Sequence, residues 1–100
     1  MGILHYGAPP ASFTIDDRTL AHLELVIMAK LRRRENLSFA HVDEHTSLRQ
    51  AVWISSVTPL RFEYEGPMPE INRLWLQDLI DAANSSSGLR ILPEPDLPSR

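Results

Sequence analysis

The sequence contains no cysteine among its 100 residues. Disulfides, thiolate metal sites and cysteine nucleophiles are therefore excluded, and a reducing compartment is compatible with the chain. The longest uninterrupted apolar run has only five residues, far short of the ~20 that a helix needs to span a bilayer. No basic segment followed by a long apolar run suggests secretion. We therefore expect a cytoplasmic protein without a membrane segment.

Catalytic motifs are also lacking. The four glycines are scattered along the chain, so the sequence has no glycine-rich loop that would cradle a phosphate. The serines lack a Gly-x-Ser-x-Gly elbow, and no histidine has serine and carboxylate partners at a recognisable spacing. These absences predict a protein that is not an enzyme and needs no cofactor.

Basic residues are few, and they are clustered. The net charge is −3, which argues against a general attraction to nucleic acid, but Lys30, Arg32, Arg33 and Arg34 stand almost side by side. They fall at the end of a predicted helix, where the helix dipole favours positive charge by about 0.3–1 kcal/mol per residue. The dipole explains the cluster without a ligand. The alternative is a local contact with phosphate or nucleic acid.

The hydrophobic pattern predicts the element order β-β-α-β-β-β-α-β. Apolar residues recur at helical spacing after Asp16-Asp17 and again after Asn72, and alternating or β-branched runs lie between and around these segments. We expect an α+β domain over residues 1–92, with a mainly antiparallel sheet and two helices packed on one face. A strand after the second helix is a candidate for parallel pairing. Residues 93–100 are rich in proline and predict an extended or disordered tail.

Two apolar surfaces are candidates for a partner. Leu25, Val26 and Ala29 lie on the back of the first predicted helix, where either the domain's own sheet and second helix or a second copy in a homodimer would cover them. Trp53 is predicted on the outer face of a strand, with Arg61 beside it. Such a pair favours base stacking or protein binding, unless a loop, the tail or another subunit covers it.

His41, Asp43 and His45 alternate in sequence, so a continuous strand would place all three side chains on one face, as in some metal sites. The stretch "HVDEHTS" is also typical of a polar turn between strands, and this interpretation is favoured. We therefore expect no metal, and these three residues form only a weak candidate site.

Several segments together resemble a known family. "MGILHYG", "DDRTLAHLELVIMAKLRR", "VWIS", "PLRFEY" and "NRLWLQDL", in this order, are similar to a family of small actinobacterial proteins of unknown function. Many of its members carry the label "ATP-dependent DNA ligase". A ligase needs a nucleophilic lysine in a Lys-x-Asp-Gly context, whereas Lys30, the only lysine, is followed by Leu-Arg-Arg.

These observations together predict a small non-enzymatic interaction module. We expect it to be a homodimer that binds a protein or a nucleic acid. The alternative that the resemblance implies is an accessory or degenerate domain linked to DNA ligation or repair.

Overall fold

The computed structural model describes residues 1–96 and confirms the α+β class with the predicted order of elements. The elements are β1 (Gly2–Tyr6), β2 (Ala11–Ile15), α1 (Asp17–Arg32), β3 (Leu37–Val42), β4 (Arg49–Ile54), β5 (Leu60–Glu63), α2 (Arg73–Ala83) and β6 (Leu89–Arg90). Neither helix in this part of the chain is long and apolar enough to cross a membrane.

The strands divide between two three-stranded sheets. Sheet A has the order β2-β1-β5 and is antiparallel throughout, whereas sheet B has the order β4-β3-β6. In sheet B, β3 pairs antiparallel with β4 and parallel with β6, so the parallel strand expected after the second helix is present.

The boundary between the sheets lies in the turn that follows β4. In this turn the Ser55 N–H donates to the Thr58 hydroxyl oxygen, and the two hydroxyl groups are hydrogen-bonded to each other. Beyond this turn, Gly7 N–H donates to Pro59 O (2.9 Å), which extends the pairing of β1 with β5. The chain therefore leaves sheet B and enters sheet A, although β4 and β5 are neighbours in sequence.

Both helices begin at the residues that the sequence predicts. The Asp16 carboxylate accepts the backbone N–H groups of Arg18 and Thr19 at the start of α1. The side chain of Asn72 does the same at the start of α2, for Leu74 and Trp75. These caps satisfy backbone donors that have no partner within their own helix.

The two sheets and the two helices enclose one hydrophobic core. Leu4 of β1, Phe39 of β3, Leu23 of α1 and Leu79 of α2 are almost completely buried in it. Phe13 of β2 meets Phe39 edge-on, with ring centroids 6.2 Å apart, so the two sheets contact each other directly. Aromatic pairs prefer this geometry. The opposite faces of both sheets are left for solvent or for partners.

Helix α2 covers the back of α1. Val26, predicted as part of a partner interface, is only 2% exposed and belongs to the core. Ala29 is half-buried and lines a small space between the helices together with Ile80 and Ala83. The prediction for Val26 as an interface residue is therefore wrong, because the domain's own second helix contacts it. Leu25 remains on the solvent side.

The beginning of the predicted tail packs against the starts of both helices. The Arg18 guanidinium donates to both carboxylate oxygens of Glu94 (2.9 and 2.7 Å). Asn72 Nδ2 donates to the same carboxylate (2.9 Å) and to Pro95 O (3.0 Å). The His22 ring accepts Asn72 N–H through Nε2 and donates to Arg18 O through Nδ1. We call Arg18, His22, Asn72 and Glu94 the helix junction; residues 97–100 of the tail lie outside the described residues.

Candidate interaction surface

The basic cluster forms the C-terminal end of α1. Glu35 N–H donates to Lys30 O and Arg34 N–H donates to Leu31 O, both at 3.0 Å, and this pair of hydrogen bonds is the Schellman motif that ends many helices. Arg34 has a positive φ of 58°, as the motif requires. The Lys30 ammonium donates to Asn84 Oδ1 (2.9 Å) and pairs with Glu35 (3.1 Å). Lys30 therefore has a structural role, while Arg32, Arg33 and Arg34 are exposed.

The candidate metal ligands lie in and beside the turn after β3. The His41 ring is buried and packs against Phe13, with centroids 5.5 Å apart. Asp43 Oδ1 accepts the backbone N–H groups of His45 and Thr46 (2.8 and 3.0 Å). The hydrogen bonds from Thr46 and His45 hold the pKa of Asp43 below its usual range. Within residues 1–96 no three His, Asp or Glu side chains are arranged to hold a metal ion. These contacts support the interpretation as a turn.

The outer face of sheet A carries charges that pair with one another. His5 Nε2 donates to Glu63 (2.9 Å), and Arg61 donates to the same carboxylate oxygen (3.0 Å). The hydrogen bond from His5, together with the charge of Arg61, lowers the pKa of Glu63. Arg61, expected beside Trp53, therefore lies on the other sheet. The expectation was wrong because β5 pairs with β1 and not with β4.

The outer face of sheet B, which we call the Trp53 face, is different in character. It consists of alternate residues of its three strands: Ser38, Ala40, Val42, Arg49, Ala51, Trp53 and Arg90. The Trp53 side chain is 57% exposed, as the alternation along the strand predicts. Neither arginine forms an ion pair within residues 1–96. A shallow depression of about 590 Å³ is lined by both arginines and by Ala40.

Arg90 is a residue of this face that the sequence did not reveal. Its strand, β6, has only two residues, so no alternation assigns its side chains to a face. Its position follows from the parallel pairing of β6 with β3, which sets Arg90 beside Ala40. A contact between such distant segments leaves no local signal in the sequence.

The outer edge of β4 is unpaired. Asp43 N–H donates to Leu48 O (2.9 Å), so residues 43 and 48 form a hydrogen-bonded pair. Such pairs alternate along an antiparallel ladder; Gln50 and Val52 therefore bond to β3, while Arg49 and Ala51 direct their N–H and C=O groups away from it. No described strand lies on that side of β4. We call the segment from Arg49 to Ala51 the free edge.

Tyr6 marks the limit of this free edge. Its hydroxyl donates to the backbone oxygen of Trp53 at 2.6 Å, which agrees with the outward direction of alternate backbone groups. The C=O of Trp53 is thus satisfied within the chain. Only the backbone groups at Arg49 and Ala51, together with Trp53 N–H, are left for another strand or for water.

These features define a small α+β domain made of two three-stranded sheets, with an exposed tryptophan beside the outer edge of β4. Residues 1–94 match the family described as "Domain of unknown function (DUF7882)", and the chain belongs to that family. Neither the curated proteins nor the solved structures include a match to this chain.

Proposed function

We propose that this protein is a non-enzymatic interaction module that forms a homodimer through the free edge of β4. The observation that carries the proposal is the outward direction of the N–H and C=O groups of Arg49 and Ala51. An edge of this kind pairs readily with another strand, and proteins usually protect it with lysine, proline, a bulge or a covering segment. The sequence of β4, RQAVWI, contains neither lysine nor proline.

The free edge is complementary to a second copy of itself. A two-fold axis at Gln50 sets Arg49 of each copy opposite Ala51 of the other. Because both residues direct their backbone groups outward, each such pair exchanges two hydrogen bonds. The register leaves the hydrogen bond from Tyr6 to Trp53 O intact. Sheet B would then continue across the dimer in the order β6-β3-β4-β4-β3-β6.

The side chains beside this edge fit the same register. In this register Arg49 of one copy is the diagonal neighbour of Trp53 of the other copy on the Trp53 face. The two residues are then about 7–8 Å apart, a distance that an arginine and an aromatic side chain can bridge. Arg49 has no ion pair among residues 1–96, so its guanidinium is available for a cation–π contact with that ring. The small side chain of Ala51 leaves room between them.

A link to DNA is the second candidate function. It is favoured by the exposed Trp53 ring, which shares the outer face of sheet B with Arg49 and Arg90, since surfaces that combine aromatic rings and cations bind single-stranded nucleic acid. The similarity to actinobacterial proteins labelled as ligases points the same way. A ligase reaction itself has little support, because the Lys30 side chain is only 14% exposed and its ammonium group is engaged by Asn84 and Glu35.

Sedimentation velocity over a range of concentrations tests the homodimer. The wild type is expected to dimerise. Ala51→Pro removes an outward N–H without removing a hydrogen bond to β3, so it should weaken the dimer by at least about tenfold while the fold is retained. Trp53→Ala should also weaken it. Met68→Ala removes a side chain of similar exposure (66%) from the segment between β5 and α2 and serves as the matched control.

Two results would contradict the homodimer. One is a wild-type protein that stays monomeric at every concentration; the other is a dimer that Ala51→Pro leaves unchanged. Fluorescence anisotropy with labelled single-stranded DNA at two salt concentrations distinguishes the second candidate function, DNA binding, from the homodimer. A monomer that binds DNA less tightly at high salt, and loses binding with Trp53→Ala, would favour nucleic acid instead.

A further inference from the structure

A cavity lies at the start of α1, next to the ends of β2 and β3. It has a volume of about 190 Å³. Its wall combines residues from the end of β2, the first turn of α1, the end of β3 and the turn that follows: Thr14, Asp16, Thr19, His41, Asp43 and Glu44. The apolar residues Ile15, Val42 and Ile91 also line it, as do Met1 and His45. The cavity is separate from the free edge of β4 and has no part in the proposed dimer.

His41 is the residue of this wall that the fold does not explain. It is only 8% exposed, yet neither ring nitrogen has a hydrogen-bond partner within residues 1–96. In that part of the chain, no side-chain nitrogen or oxygen that is sealed from solvent lacks a partner. Both ring nitrogens of His41 must therefore reach accessible space. The ring packs against Phe13, and His41 is one of the residues that line the cavity.

The charge of the wall determines what it can accept. Asp16, Asp43 and Glu44 line the cavity, and neither lysine nor arginine does. Met1 also lines the cavity, but its ammonium group donates to Glu65 (2.7 Å) and lies 3.9 Å from Asp17, neither of which lines the cavity. Asp16 caps α1 through Oδ2, and Asp43 closes its turn through Oδ1. Each carboxylate therefore keeps a second oxygen as an acceptor, and the cavity favours cations that donate hydrogen bonds over anions.

We propose that this cavity binds a short aliphatic amine or diamine. The ammonium group would donate to the second oxygens of Asp16 and Asp43 and to the acceptor nitrogen of His41, while the methylene groups would lie against Ile15 and Ile91. A volume of about 190 Å³ equals that of about six water molecules at ~30 Å³ each. It therefore suits a ligand of about six heavy atoms.

Titration of the folded protein with 1,4-diaminobutane, followed by NMR of the His41 ring nitrogens and the backbone amides, tests this site. We expect saturable shifts confined to His41, the first turn of α1 and the turn at Asp43. 1-Pentanol, a neutral ligand of the same size, and pentanoate, an anion, should cause no saturable shift. Equal shifts with pentanol, or none with the diamine up to about 10 mM, would overturn the proposal.

Two variants separate binding from folding. Asp16→Asn combined with Asp43→Asn keeps both caps, because the asparagine oxygen accepts the same N–H groups, but it removes both charges. It should weaken diamine binding by at least about tenfold. His41→Phe keeps an aromatic ring against Phe13 and should also weaken binding. Unchanged binding in the folded double variant would overturn the proposal, as would zinc-induced shifts of His41 and His45 in place of a response to the diamine.

Discussion

The helix junction and the free edge of β4 differ in whether their polar groups have hydrogen-bond partners within the chain. At the junction, Asn72 uses its amide oxygen, its amide nitrogen and its backbone N–H, each with a partner in the same chain. At the free edge, the backbone groups of Arg49 and Ala51 have no such partner among residues 1–96. The helix junction is therefore complete within one chain, and the free edge is the place where the proposed second copy would pair.

The largest expected effect is that of Asn72→Ala at the junction. The residue is 2% exposed, and its loss removes the cap of α2 and the hydrogen bonds to Glu94 and Pro95. We expect the free energy of unfolding to fall by about 2–4 kcal/mol in urea denaturation. Asn72→Ser retains an oxygen that can cap the helix and should lose less. A loss below about 0.5 kcal/mol for Asn72→Ala would show that the junction does not stabilise the fold.

Lowering the pH should weaken the hydrogen bonds of the helix junction before it affects the free edge of β4. The hydrogen bonds from Arg18 and Asn72 lower the pKa of Glu94 from 4.5 to about 2. A group whose pKa is lowered by folding stabilises the native state above its unfolded pKa and loses that contribution as the pH falls. The contribution of Glu94 is thus complete above pH 4.5 and declines between pH 4.5 and about 2.

Urea unfolding of the wild type and of Arg18→Gln across this pH range measures the effect. The variant should be less stable at pH 6, and its stability should decline less between pH 4.5 and pH 2, because the charge that lowers the pKa of Glu94 is gone. Parallel pH profiles for the two proteins would mean that the pair of Arg18 and Glu94 does not contribute to folding.

A smaller change is expected where α1 ends. Arg34 adopts a positive φ of 58°, which a residue with a Cβ adopts at a cost of about 1 kcal/mol relative to glycine. Arg34→Gly should therefore raise the free energy of unfolding by about 0.5–1 kcal/mol, visible as a higher Tm. Arg33→Gly is the matched control, since Arg33 has φ of −90° and gains nothing from glycine. If both variants lower the Tm, the strain at Arg34 is not relieved by glycine.

The smallest effect on folding should be that of Trp53→Ala. Its side chain is exposed on the Trp53 face, so truncation should change the stability of the monomer by less than about 0.5 kcal/mol, measured at a concentration below the dimer dissociation constant. The same variant should weaken dimerisation. If the free energy of unfolding of the monomer fell by 2 kcal/mol or more, Trp53 would contribute to stability as a core residue does, and the contrast with the helix junction would be lost.

The features that depend on local chemistry were predictable from the sequence. The caps at Asp16 and Asn72 follow from side chains that accept backbone N–H groups two or three residues ahead. The outward position of Trp53 follows from the alternation along one strand. The turn at Asp43 follows from the ability of a carboxylate to bond to nearby N–H groups.

The features that depend on contacts between distant segments were not predictable from the sequence. Val26 was named as an interface candidate, with cover by the domain's own second helix as the alternative, and the sequence of α1 could not decide between the two because α2 lies far along the chain. Arg61 does not lie beside Trp53, because β5 pairs with β1 and not with β4. The contact of Arg18 with Glu94 joins almost opposite ends of the sequence. Such contacts are selected by the packing of the whole core, which no single window of sequence describes.

Hydrogen exchange at two neighbouring amides of β4 tests the central claim most directly. Gln50 N–H bonds to β3 within the chain, whereas Ala51 N–H points outward. If a second copy pairs with the free edge, Ala51 N–H exchanges slowly at high protein concentration and quickly on dilution, while Gln50 N–H changes much less. Fast exchange of Ala51 N–H at every concentration, with Gln50 N–H still protected, would contradict the claim.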